Sequence, residues 1–178
     1  AFFDRYPPVT NVGRAAYALA LYALGRGEAE AAARDAWRGG AMSDSAEATL
    51  FARLAPPLTA QDHDARMDAL LWTGATAQAE RQILLVSPAA RPLFVARLSL
   101  AKGTDPVTAG LVTGTEASDA GYVYNRSKFL RGAGNTANAA WLLATRPPLR
   151  APPREVRKWL AELLAVARKA DAQTAAKI

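Results

Sequence analysis

Punctuation constrains this chain more than any other feature of its sequence. Gly and Pro interrupt it at Gly25-Arg26-Gly27, Gly39-Gly40, Pro56-Pro57, Gly74, Gly103, Gly132-Ala133-Gly134, Pro147-Pro148 and Pro152-Pro153. Gly ends a helix readily because it accepts a left-handed backbone, and Pro interrupts one because it has no amide hydrogen. The segments between these stops are short, so their residue types decide what they form. Hydrophobic residues make up 51% of the chain and aromatics only 8%, with Ala supplying much of the apolar content. That mixture favours closely packed helices over strands, which draw on β-branched and aromatic side chains. The expected fold class is all-α.

The segments read as helices in sequence. Thr10 or Asn11 caps an amphipathic run to Leu24, and a second helix from Glu28 to Arg38 carries acids in its first turn, where the helix dipole favours them. Asp44 and Glu47 have capping-box spacing for a helix reaching Leu54, and Thr59 with Asp62 repeats the arrangement less well for a helix through Met67, Leu70 and Trp72 to Gly74. Its partner covers residues 75–86. Ser87-Pro88 reads as an N-cap and first-turn proline for a helix through Phe94 and Leu98. A short helix is expected from Asp105, and residues 110–118 read as a loop or weak helix. A third hairpin starts at Asp119, turns at Gly134 and returns from Thr136 to Ala144. The last long helix is expected from Arg154 to Lys169, with Val156, Trp159, Leu160 and Leu163 on or near one face.

A weak repeat ties the hairpins together. Gly27 is followed five residues later by Ala32, Gly74 by Ala79 and Gly134 by Ala139, with Gly103 and Thr108 as a degenerate member. Gly supplies the turn, and a small residue on the second helix lets the two backbones approach. The pattern resembles the turn of tetratricopeptide repeats without their regular period. It predicts an irregular TPR-like α-solenoid, a superhelix of antiparallel helix hairpins forming one domain over residues 1–178.

Residue types also exclude much chemistry. With no Cys, the chain has no disulfide, thiolate metal site or cysteine nucleophile. The longest apolar run, Ala15 to Leu24, falls short of the ~20 residues a membrane-spanning helix needs. His63 has no second His or Cys beside it and reads as an exposed first-turn residue, since a metal site needs three or four ligands. Asp62, Asp64 and Asp68 read as helix-stabilising acids rather than a catalytic pair, and Trp37, Trp72, Trp141 and Trp159 as packing between helices rather than sugar platforms. No phosphate-binding glycine loop or nucleophile elbow is present. No catalytic, cofactor-binding or metal residue is assigned, and no cofactor is expected.

Charge is unevenly placed. Residues 1–89 carry 8 Arg against 10 acids, a balance of −2, whereas residues 90–178 carry 14 Lys and Arg against 6 acids, a balance of +8. A cationic surface attracts anionic polymers. Aromatics and cations mix around residues 122–131, so Tyr122, Arg126, Lys128 and Arg131, with Arg157, form the candidate polymer contact.

Three strings carry a family resemblance: Phe2-Phe3-Asp4-Arg5-Tyr6-Pro7-Pro8, the run from Leu58 to Trp72 containing Asp62-His63-Asp64-Ala65-Arg66-Met67-Asp68, and Asp119-Ala120-Gly121-Tyr122-Val123-Tyr124-Asn125-Arg126 followed by Phe129-Leu130-Arg131. Together they resemble the N-terminal superhelical region of bacterial soluble lytic transglycosylases of the alphaproteobacterial type. In that family the superhelix surrounds a separate lysozyme-like domain that cleaves peptidoglycan with one catalytic Glu. The family's Glu-Ser pair is absent here, and Gly110-Leu111-Val112-Thr113 is a poor echo of its Gly-Leu-Met-Gln string. The resemblance implies a non-catalytic, periplasmic scaffold, a fragment of a longer protein whose enzyme lies beyond Ile178. Its implied partners are peptidoglycan and its own C-terminal catalytic domain. A TPR-like protein-docking module is the alternative. Nucleic-acid binding is a weaker third, resting on charge alone with no recognition-helix motif.

Overall fold

A computed structural model describes residues 2–54 and 58–178, apart from the Asp4 side chain; the Pro56-Pro57 stop lies outside them. The described residues form helices α1 (Phe2–Arg5), α2 (Asn11–Ala23), α3 (Ala29–Arg38), α4 (Asp44–Leu54), α5 (Ala60–Thr73), α6 (Thr76–Gln82), α7 (Arg91–Ala101), α8 (Ala120–Gly132), α9 (Thr136–Thr145), α10 (Val156–Ala167) and α11 (Ala172–Ala175), with a 3-10 turn at Thr115–Ser118. No strand occurs among them. The fold is all-α, as composition and punctuation predict. It divides into two compact units, Ala1–Pro88 and Ala89–Ile178, which carry the −2 and +8 charge balances respectively.

In the first unit, α2 and α3 pair through small residues. Ala15 and Ala18 meet Ala33 and Ala36 in a core completed by Met42 and by Ala46, Leu50 and Leu54 of α4. The pair is antiparallel, because the Asn11 amide that starts α2 donates to the Ala41 carbonyl just past α3, at 2.9 Å. Helices α5 and α6 are antiparallel too, since Gln82 at the end of α6 bonds His63 near the start of α5. In the second unit, Ala96, Leu100 and Tyr122 pack α7 onto α8. The pair α8 and α9 closes with Arg150 N donating to Ser118 O at 2.9 Å. Within each unit, hairpins and single helices stack side by side in the manner of an α-solenoid.

The turns work through left-handed glycines. At Gly74 (φ 76°) the helix ends with Ala75 N donating back to Leu70 O at 3.0 Å, and at Gly134 (φ 78°) Asn135 N donates to Leu130 O at 2.8 Å. These bonds satisfy carbonyls that a helix end leaves open. Ala79 and Ala139, five residues on, are fully buried. The first hairpin differs from the predicted register: its left-handed residue is Gly25, not Gly27, and its buried small residue is Ala33, not Ala32. The turn there is longer, so a fixed spacing of five misses it.

Other expectations shift for similar local reasons. Ser43, not Asp44, caps α4, accepting from Ala46 N at 3.2 Å. The Thr59 and Asp62 pair forms the full capping box of α5. Ser87 does not start a helix, because its amide and hydroxyl both donate to the Asp64 carboxylate, and α7 begins at Arg91 with Pro92 in its first turn. Asp105 opens a turn rather than a helix.

A left-handed position penalises any Cβ by roughly 1–2 kcal/mol. Gly74→Ala and Gly134→Ala are therefore expected to lower stability by about that amount in urea unfolding. Gly27, which has an ordinary φ and open space around its Cα, should tolerate Ala with no loss. Equal losses at all three would reject the assignment of the turns.

Candidate functional site

The run from Asp62 to Trp72 is absorbed by the first unit's core. Asp62 is fully buried at the start of α5. Its carboxylate accepts from the Thr59 amide and hydroxyl at 2.8 Å each and from Arg38 Nε. Burial alone would raise the Asp62 carboxyl, but these hydrogen bonds outweigh it and hold the group below the usual carboxylate range. Asp64 accepts from Ser87, tying the segment after α6 to α5. Met67, Leu70, Leu71 and Trp72 are buried.

Arg66 is the unexpected member. Its guanidinium is fully buried, lies 4.1 Å above the Trp37 ring, donates to the Gly40 carbonyl at 2.8 Å and reaches Glu47 at 3.2 Å. Burial pushes its pKa down to about 10, with Glu47 opposing. The ring face, the carbonyl and the carboxylate replace part of the water that a buried cation loses, while Arg66 Nε and Nη2 make no hydrogen bond among the described residues. A signal was present in the sequence: His63, Arg66 and Leu70 share one helix face by spacing, and that face is the buried one.

His63 is likewise buried, which corrects the exposed reading. Its ring meets Trp37 and Phe51 edge-on, at 5.9 and 6.4 Å, and Gln82 Nε2 lies 3.1 Å from its Nδ1. A cleft of about 340 Å³ opens beside this cluster, lined by Trp37, Ala48, Phe51 and Leu85, with Arg81 at its edge. Arg81 pairs with Asp44 at 2.8 Å and with Glu47 at 2.9 Å. The cleft's acids are thereby held by a cation, so it offers an apolar surface rather than an acid and base.

The candidate polymer contact lies in the second unit. Tyr122 is buried, with its hydroxyl 3.4 Å from Arg126, and burial raises its pKa. Arg126 is ion-paired with Asp105 at 2.8 Å. Arg131 is paired with Glu162 of α10 at 2.8 Å, and Glu162 also accepts from Ser127 at 2.8 Å. Lys128 is exposed, its ammonium 5.3 Å from the Tyr124 ring, and Arg157 is exposed on the first turn of α10. The structure thus joins Tyr122 to Arg126 and spends Arg126 and Arg131 on internal pairs, which leaves Lys128 and Arg157 facing water.

Three of the four Trp residues are packed as predicted, with Trp37, Trp72 and Trp159 at 1, 3 and 6% exposure; Trp141 is the exception at 67%. Glu116 is buried and held by Thr113 and Gly114. Among the described residues, no group of three His, Cys, Asp or Glu side chains is placed to hold a metal ion. No helix there is long and apolar enough to cross a membrane. No family model, curated protein or solved structure matches the chain.

Burial pulls His63 below its ordinary pKa, with Arg66 assisting and Asp62 and Asp64 opposing. Between the folded value and about 6.5 the unfolded chain binds the extra proton, so stability is full above that window and falls as the pH drops through it. Urea midpoints are therefore expected to fall between about pH 7.5 and pH 5.5, and less so in His63→Asn, whose carbonyl can accept from Gln82. An identical fall in both proteins would mean that another group titrates.

Proposed function

We propose that the chain is a non-catalytic helical scaffold of a peptidoglycan lytic transglycosylase, periplasmic, which positions the glycan or a catalytic domain. One observation carries this reading. The string most specific to the family resemblance, Asp62 to Trp72, is used throughout for capping, ion pairing and core packing. A motif spent in this way marks a fold rather than a reaction centre. The second unit's charge supports contact with an anionic polymer, through exposed side chains such as Lys128 and Arg157.

A protein-docking module is the second reading, and the apolar cleft at Trp37 and Phe51 favours it, being of a size that takes an apolar side chain.

The scaffold reading expects the purified chain to release no anhydromuropeptides from peptidoglycan and to co-sediment with sacculi at low salt. Binding should weaken as salt brings the Debye length below ~10 Å. Lys128→Glu with Arg157→Glu should reduce it several-fold, while Arg14→Glu, in the first unit, should not. Failure to sediment at low salt, or equal losses from both changes, would reject the reading.

A further inference from the structure

Trp141 is exposed on α9, on the side away from the face that Ala139, Ala140 and Leu143 bury. Ala139 and Leu143, one turn apart, are fully buried, whereas the Trp141 indole is 67% exposed. Two depressions share it. The larger, about 370 Å³, lies between α9 and the segment around α11 and is lined by Ala137, Ala140, Ala144, Thr136, Lys169 and Lys177 among others. The smaller, about 200 Å³, is lined by Arg126, Leu130, Asn138 and Leu142. The larger falls in the range of small-ligand sites, roughly 300–1,000 Å³.

The free groups in the larger depression define what fits it. Asp171 is occupied, accepting from the Thr174 amide at 2.9 Å and hydroxyl at 2.7 Å. Lys169 and Lys177 make no side-chain hydrogen bond or ion pair among the described residues, and they outnumber that carboxylate two to one. What remains is an indole face, two ammonium groups and the Thr136 hydroxyl, on an alanine-lined surface. A pyranose ring presents a C–H face that packs on an indole and a hydroxyl edge that bonds polar neighbours, and a carboxylate on that sugar completes the match with Lys.

We propose that Trp141, Lys169 and Lys177 form a binding site for a carboxylate-bearing oligosaccharide, with Trp141 as the stacking platform between two adjoining subsites. The inference deepens the scaffold reading and rests on it for the identity of the polymer; the site's own chemistry asks only for a carboxylated saccharide. Single-stranded nucleic acid fits less well, because it is held by successive aromatics along a basic track, and here one indole stands alone beside an Arg126 already bound to Asp105.

The test titrates the full chain with oligogalacturonate, with soluble muropeptide oligosaccharides, with uncharged chitooligosaccharides and with oligothymidylate, following binding by calorimetry. Circular dichroism checks that the variants fold; Trp141 is exposed, so they should. Both carboxylated ligands should bind, the uncharged one more weakly. Trp141→Ala should lose at least about tenfold in affinity, Trp141→Phe less, and Lys169→Gln with Lys177→Gln should remove the preference for charge. Unchanged affinity in Trp141→Ala, no saccharide binding, or tighter binding of oligothymidylate would overturn the proposal. Sacculus binding that persists undiminished in Trp141→Ala would sink this site while leaving the scaffold reading in place. Oligogalacturonate binding that needs Trp141, in a chain that ignores sacculi, would sustain the site and remove the scaffold reading.

Discussion

The helices among the described residues are at most marginal alone: the longest, α5, has 14 residues, and isolated helices shorter than about 12–15 residues are marginal in water. Every helix therefore takes its stability from a neighbour, which makes helix-to-helix contact the constraint on which the rest depends. Small residues answer it between α2 and α3, where four alanines let the backbones approach. Just past α3 the chain comes close to α5: a Cβ at Gly40 would lie 2.7 Å from that of Ala69.

Where backbones do not meet so closely, polar side chains bridge the gap, and each unit holds an arginine in its interior. Arg66 links α5 to the end of α3 and to α4 through Trp37, Gly40 and Glu47. In the second unit, Arg97 of α7 lies where a Cβ on Gly121 would stand, 2.3 Å from its Cζ, and donates to Asn125 of α8 at 3.0 Å. A buried guanidinium costs desolvation, which aromatic faces, carbonyls and carboxylates offset only when several converge.

The same economy shapes the surface. Arginines that a charge count makes available to a ligand, such as Arg126 and Arg131, hold α8 to the turn after α7 and to α10. Trp141, Lys169 and Lys177 around one depression, and Lys128 and Arg157 elsewhere on the unit, are among the groups that stay exposed.

The helical class, the short elements and most of their ends are legible in the residues alone, because caps such as Thr10, Thr59 and Asp119 and turns such as Gly74 and Gly134 act on residues within one helical turn. Sequence alone misleads where local signals compete with distant ones. Ser87 looked like a cap but is claimed by Asp64, which is 23 residues away. His63, read as exposed, is covered by Trp37, Phe51 and Gln82 from three other helices. Trp141, read as packing, has no helix over it. Tertiary structure decided which cations are free and which aromatic is bare, because burial and pairing depend on segments far along the chain, and spacing within one segment carries no record of them.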